Sequence, residues 1–169
     1  GKNMKITNSA IEEVVSQIAG EEVLPLVKIL KNKTNVSEFK IADKIDQDIN
    51  VTRNYLYRLY HANLVSYIRK KDKKKGWYIY FWTLRIKRVT FLLAQLKKEK
   101  LEKLLERLKR EKQTQFFVCD NTCMRLNFEE SINFEFKCPE CGELMGLEDN
   151  HEKIKDIEKQ INTLHGELT

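Results

Sequence analysis

Proline and glycine are scarce in this sequence, two and six residues of 169. With 41% apolar residues, that excludes a collagen-like or low-complexity chain and leaves a folded protein. No apolar run approaches the ~20 residues of a membrane helix, and no N-terminal apolar stretch resembles a signal peptide. No internal repeat is present. Histidine is nearly missing: His61, His151 and His165 are scattered, none accompanies a nucleophile, and all three read as surface residues. Cysteine is limited to four, all beyond position 115. Without an export signal, four cysteines favour a metal site over two disulfides, and the sequons at Asn32, Asn35 and Asn50 carry little meaning. Met4 is a candidate start, with residues 1–3 preceding the natural chain.

Charge of one sign is missing from neither half, but it is unevenly spread. Residues 1–115 hold 26 basic and 13 acidic side chains, a net of +13, and residues 116–169 hold 5 and 12, a net of −7. The overall +6 therefore conceals two surfaces suited to different partners.

The apolar pattern predicts a mainly α protein with small β elements. Ile11, Val14, Val15 and Ile18 follow helix spacing, with Ser9 as N-cap. Gly20 breaks that helix, and residues 21–30 form a second one with Pro25 in its first turn. Ser37 precedes a short helix to about Ile45, carrying Phe39, Ile41 and Ile45. Thr52 caps a further helix to about Ala62, with Leu56 and Leu59 inward. Residues 65–69 and 77–82 read as strands joined by a polar turn ending at Gly76. Helices followed by a two-stranded hairpin give the order of a winged helix-turn-helix. All six Tyr and both Trp lie between Tyr55 and Trp82. Residues 84–112 form a long helix of about 43 Å at 1.5 Å per residue, striped with leucine. From His151, Ile154, Ile157, Ile161, Leu164 and Leu168 keep 3-4-3-4 spacing, enough to dock a terminal helix on a partner or on the protein itself.

Cys119 and Cys123, then Cys138 and Cys141, make two close pairs separated by 14 residues. Four thiolates so spaced suit tetrahedral Zn²⁺, each pair forming a knuckle. Two period-2 runs, 124–128 and 132–136, predict a hairpin about residues 129–131 that brings the knuckles together. A four-cysteine site is closed, so it stabilises and does not catalyse. The acidic surface around it (Asp120, Glu129, Glu130, Glu135, Glu140, Glu143) repels phosphates and suits a basic protein surface.

At the tip of the first hairpin, Arg69, Lys70, Lys71, Lys73, Lys74 and Lys75 place six cations in seven residues. The aromatics Trp77, Tyr78, Tyr80, Phe81 and Trp82 read first as core packing. Yet both faces of their strand are apolar, so one face must be covered by a helix or by a partner. With Trp77, Tyr78, Tyr80 and Trp82 beside them, the cations are the candidate contact to nucleic acid or polymerase. Lysine outnumbers arginine 23 to 8, and lysine lacks the fork that reads guanine. Contact is therefore expected at phosphates, salt-sensitive and weakly sequence-specific. The outward stripe of the preceding helix, Arg53, Tyr57 and His61, is a mixed face better suited to protein than to the major groove.

These residues carry a resemblance. Arg53-x-x-Leu-Tyr-x-Leu-Tyr-x-x-x-Leu-Val-x-Tyr-x-Arg-x-x-Asp72, then Gly76-Trp-Tyr-x-Tyr-Phe-Trp82, is similar to the extended winged helix of the archaeal transcription factor E family, counterpart of the eukaryotic TFIIE alpha subunit. Ser37-Glu-Phe-Lys-Ile-Ala42 resembles the family's entry to its second helix. The three-residue spacing of the first cysteine pair departs from the family's knuckle. The eukaryotic subunit is much longer, so the length matches the archaeal form.

The resemblance implies domains at 4–83 (extended winged helix), 84–115 (linker helix), 116–150 (zinc ribbon) and 151–169 (terminal helix). It implies a non-catalytic, cytoplasmic initiation factor that binds the clamp and stalk of RNA polymerase. Such a factor cooperates with TATA-binding protein and factor B and stabilises the open promoter near the non-template strand. It implies one structural zinc on Cys119, Cys123, Cys138 and Cys141, with no membrane and no small-molecule substrate. Two other readings compete: a dimeric winged-helix repressor with a structural or sensory zinc, and a zinc-dependent nucleic-acid enzyme. The latter needs an open metal position or a carboxylate–histidine constellation, and the sequence offers neither.

Overall fold

A computed structural model describes residues 7–169; the reading of Met4 as a start lies outside them. The chain is mainly helical with small sheets and divides into two compact units between Leu96 and Lys97. Among the described residues no helix is long and apolar enough to cross a membrane.

The first unit opens with α1 (Asn8–Ile18), which buries Ile11, Val14 and Val15. Its cap is Thr7, whose hydroxyl accepts from the Ala10 N–H at 3.2 Å. Ser9 lies inside the first turn instead; only Thr7 has the extended backbone that lets a hydroxyl reach back to the free N–H groups. Gly20 ends the helix at φ 100°, a conformation in which a Cβ would also collide with the Glu22 side chain. The expected second helix is two pieces: a 3-10 turn at Glu21–Val23, then α2 (Leu24–Leu30) with Pro25 in its first turn.

The short strand β1 (Val36–Ser37) leads into α3 (Glu38–Ile45). Ile41 is buried, and Phe39 is 42% exposed. Two residues apart on a helix means about 200° of rotation, so both cannot face inward. Asp46 then turns the chain in the left-handed conformation, and α4 (Ile49–His61) follows. Its cap is Asp48, accepting from the Asn50 N–H at 2.7 Å. Thr52 is fully buried within the helix and donates to the Asp48 carbonyl at 3.0 Å, so the helix starts three residues before the expected cap.

Strands β2 (Val65–Lys71) and β3 (Tyr78–Leu84) pair antiparallel from Val65 opposite Leu84 to Lys71 opposite Tyr78. The sheet order is β1-β3-β2. Asp72 shapes the hairpin turn by accepting from the Lys74 N–H at 2.8 Å, and Gly76 closes it at φ 74°. Leu26, Leu30, Ile41, Leu56, Leu59, Leu64 and Trp82 form one apolar core. The long helix α5 (Ile86–Gln113) begins on that core, with Val89 buried and Leu92, Leu93 and Leu96 against it.

The second unit comprises the rest of α5, β4 (Phe116–Val118), β5 (Arg125–Asn127), α6 (Phe128–Asn133), β6 (Gly146–Leu147) and α7 (His151–Leu168). The hairpin expected about residues 129–131 is absent: residues 128–133 are helical, and β5 pairs with β4 in a sheet ordered β5-β4-β6. Asn127 sets that helix, its Oδ1 accepting from the Glu130 N–H at 2.8 Å while its Nδ2 donates to the Glu130 carboxylate at 2.7 Å. This reciprocal cap outweighs the period-2 pattern of the apolar residues. The terminal heptads dock on the protein itself: Ile157, Ile161 and Leu164 bury against Leu101, Leu104 and Leu108.

A polar network fastens these pieces. Arg125 donates to Glu111 at 2.6 Å and to both Glu148 oxygens at 2.8 and 3.0 Å, over the Phe116 ring at 3.7 Å. Asn150 donates to the Glu111 carboxylate at 2.8 Å, and Lys153 to Glu148 at 3.2 Å. Glu111 is buried, so these partners are what allow its charge there.

Candidate metal centre and nucleic-acid interface

Cys119 leaves β4, and the loop after it folds back, the Thr122 N–H donating to the Cys119 carbonyl at 2.9 Å. Thr122 sits at φ 56°, which lets three intervening residues make the turn usually made by two. In the second loop the Gly142 N–H donates to the Cys138 carbonyl at 2.8 Å, with Gly142 at φ 78°. The sulfurs of Cys119, Cys123, Cys138 and Cys141 consequently lie within 4.8 Å of one another. All four sequence-predicted ligands are brought together, despite the irregular first spacing.

The protonation of the cluster is unequal. The Glu143 N–H, the Asn121 side chain and the Cys119 thiol hold Cys141 down at about 7. Burial, then Cys141 and Cys119, push Cys123 up to about 12, and burial raises Cys119 as well. Crowded thiols resist joint ionisation because like charges would meet at close range. A divalent cation among them reverses that balance, since a coordinating thiol is deprotonated outright. Tetrahedral Zn–S bonds of about 2.3 Å place sulfurs about 3.8 Å apart, a spacing this cluster can adopt with small shifts. Four close thiols could thus hold a metal ion.

In the first unit the hairpin exposes all six of its cations. Arg69 lies over Tyr78 at 4.5 Å, Lys70 over Phe81 at 5.6 Å and Lys75 over Trp77 at 5.0 Å. Lys71, Lys73 and Lys74 extend into solvent. Trp77 and Tyr78 are about half exposed, whereas Tyr80 is partly buried. Trp82 corrects the expectation of a contact residue: it is 1% exposed, packed in the core, its indole N–H donating to the buried Glu38 at 3.3 Å. A ring so enclosed serves packing and has no surface to offer a partner.

Two surface aromatics, Tyr60 and Tyr67, were not among the expected contact residues. Tyr67 is 5.5 Å from Tyr60 and 5.2 Å from both Tyr80 and Trp82, and Tyr57 adds an edge contact to Trp82. Tyr57, Tyr60 and Tyr67 are exposed, forming an aromatic ledge between α4 and the hairpin. The signal was the strand register, Tyr67 opposite Trp82, which pattern alone does not fix.

On α4, Tyr57 and His61 face solvent as expected. Arg53 is tied to Glu38 at 2.7 Å, and Arg58 to Glu22 and the Ala19 carbonyl. The helix arginines are thus held within the unit, whereas the six cations of the hairpin are exposed.

Comparison with known proteins places these features. The family described as the TFIIE alpha subunit matches residues 9–115. Transcription factor E of Methanocaldococcus jannaschii is 34% identical over 165 residues, 96% of this chain and 95% of that one. Its counterpart in Metallosphaera sedula is 35% identical, over 89% and 90% of the two chains. That of Pyrococcus abyssi is 33% identical, over 98% and 87%.

Proposed function

The chain belongs to the TFIIE alpha family, a non-catalytic class of transcription initiation factors, and from that premise we propose that it joins RNA polymerase to the opening promoter through two unlike surfaces. We read the first unit as an extended winged helix, α3 and α4 forming the helix-turn-helix and β2–β3 the wing. Domains at 4–83, 84–115, 116–150 and 151–169 follow from that reading. The wing, with Arg69, Lys70, Lys71, Lys73, Lys74, Lys75, Trp77, Tyr78 and Tyr80, faces the polymerase clamp and the non-template strand. The acidic cysteine module faces protein, including the polymerase stalk. TATA-binding protein and factor B complete the assembly, in the archaeal cytoplasm.

Cys119, Cys123, Cys138 and Cys141 would hold one structural Zn²⁺. Such a closed site supplies folding energy and leaves no position for catalysis. The rest of the work is binding. A factor that holds the melted promoter more tightly than the closed one shifts the equilibrium by that difference, tenfold for about 1.4 kcal/mol.

The observation that carries this reading is the hairpin tip, where six exposed cations stand beside exposed Trp77 and Tyr78. Lysines grip phosphate without reading bases. A sequence-specific repressor would need α4 to reach base edges, and Arg53 and Arg58 are already engaged by Glu38 and Glu22.

The test is binding of the purified protein to RNA polymerase and to a bubble DNA across a salt series. Lys73→Glu, Lys74→Glu and Lys75→Glu together are expected to weaken bubble binding and lower the slope of log affinity against log salt by about 2, at roughly 0.7 per lost phosphate contact on single strands. An unchanged slope, or a footprint at a discrete palindrome by the protein alone, would remove the initiation-factor reading of the wing.

A further inference from the structure

The cysteine module carries an apolar face beside the thiol cluster, joined to it by Phe117, which packs against the core around Cys119 and Cys138. Phe117, Phe128 and Phe136 form a closed triangle, their ring centroids 4.9, 6.0 and 6.3 Å apart. Ile132 stands one turn along α6 from Phe128, on the same side of the helix. Leu147 lies directly opposite Phe117 across the β4–β6 pair, on the same side of the sheet. Phe128, Ile132 and Leu147 are 42%, 50% and 60% exposed. Scattered exposed apolar residues are ordinary, but a contiguous group of large ones marks an interaction surface.

Backbone strain points to the same place. Glu135 at φ 54° and Phe136 at φ 61° are consecutive non-glycine residues in the left-handed region. An aromatic residue avoids that conformation unless its surroundings impose it, and such residues gather at functional surfaces. Here the strained turn sets the Phe136 ring 4.9 Å from Phe117, completing the triangle.

The charge around the face selects its occupant. Residues 116–150 contain eight acidic and two basic side chains, and one of the two, Arg125, is occupied by Glu111 and Glu148. Glu135 adjoins Phe134 and Phe136 in sequence and is exposed, whereas Glu129 and Glu130 line a separate groove with Arg107 and Arg110. A phosphate backbone would be repelled. A second copy of the module, meeting the first through the same face, would set acid against acid.

We propose that this face is the docking site for a partner protein segment that presents apolar side chains flanked by Lys or Arg, such as one side of a basic amphipathic helix. The apolar anchors fill the ground between Phe128, Phe136 and Leu147, and the flanking cations meet Glu135 and the net negative charge of the module. This rests on the reading of the acidic module as the surface turned to protein and names the chemistry of its partner. The helix titration needs neither DNA nor polymerase, so its failure and that of the promoter reading are distinguishable.

The test uses the full chain with zinc supplied, titrated with three synthetic helices: one of leucine and lysine, one with serine replacing leucine, and one with glutamate replacing lysine. Amide spectra should shift at residues 117, 128, 132, 136 and 147 with the leucine–lysine helix, which should bind about tenfold more tightly than either control. Phe128→Ser with Ile132→Ser should remove that preference. Leu147→Lys, at a position exposed enough to leave the fold intact, should weaken the same helix while zinc content stays unchanged. Equal affinity for the serine–lysine helix would reduce the face to bulk charge and overturn the proposal. So would shifts confined to other residues, the same shifts on adding single-stranded DNA, or self-association of the free chain through these residues.

Discussion

The two units are built by different means. Up to Leu96, seventeen apolar residues among those described are buried in one continuous cluster that joins helices and sheet. From Lys97 onward burial falls into two clusters of four, and two of the residues in one of them are cysteines. The first unit spreads its stability over many buried side chains, each large one worth roughly 1.5–3 kcal/mol. The second depends on a few points: the thiol cluster, the Arg125 network and the packing of α7 on α5. Distributed packing tolerates a local loss, whereas a point fastening fails as a whole. The charge runs the same way, a net of +9 on residues 1–96 and −3 on residues 97–169.

The largest effect should come from the thiols. Cys138→Ser is expected to unfold residues 116–150 and release the metal, a loss on the order of 10 kcal/mol of apparent folding energy. Amide spectra should show residues 7–96 unaffected, and elemental analysis should give one Zn per chain before the change and none after. A full-strength metal content in the variant would break the comparison.

Arg125→Ala should come next. It leaves Glu111 buried without its cation, a change worth about 3 kcal/mol, read as a lower unfolding midpoint for the second unit alone. Ile157→Ala should cost about 2–4 kcal/mol and loosen α7 from α5, measured by hydrogen exchange along residues 151–168. If these losses spread to the first unit's amides, the units are less independent than their cores indicate.

Acid sharpens the comparison further. Arg125 holds the Glu148 carboxyl below its ordinary range. Burial pushes Glu111 upward, but the hydrogen bonds from Arg125 and Asn150 outweigh it and leave it lowered too. Groups lowered in the folded state stabilise fully above the ordinary carboxylate range, and that stability is lost as pH falls through their folded values. The second unit should therefore weaken in acid before the first, as a pH series of unfolding midpoints by unit would reveal. The smallest effect on stability belongs to Lys73→Glu, Lys74→Glu and Lys75→Glu, within about 0.5 kcal/mol each because the tip is exposed.

The first unit was readable in the sequence because its helices and hairpin obey simple periods: the Ile11–Val15 stripe, the Leu56 and Leu59 pair, and the β-branched and aromatic runs on either side of the turn that ends at Gly76. Its misplaced caps, Ser9 for Thr7 and Thr52 for Asp48, arose where several capping residues lie within one turn and only backbone conformation chooses. Pattern alone does not sort Trp82 from its aromatic neighbours, because both faces of the strand are apolar; its burial depends on Glu38, 44 residues away, supplying a partner for the indole. In the second unit the four cysteines were legible from spacing alone. Residues 128–133 were not, because Phe128, Phe134 and Phe136 mimic strand alternation while Asn127 and Glu130 cap a helix. The Asn-x-x-Glu signal was present, and the alternation masked it.

The account rests on one chain serving two surfaces at an opening promoter, and promoter melting on a weak promoter tests it most directly. With RNA polymerase, TATA-binding protein and factor B present, permanganate reactivity of unpaired thymines should rise when the protein is added. The triple Lys→Glu wing variant should lose that rise with both units still folded, and Cys138→Ser should lose it with the first unit still folded. No rise with the natural chain, or an undiminished rise with either variant, would contradict the account.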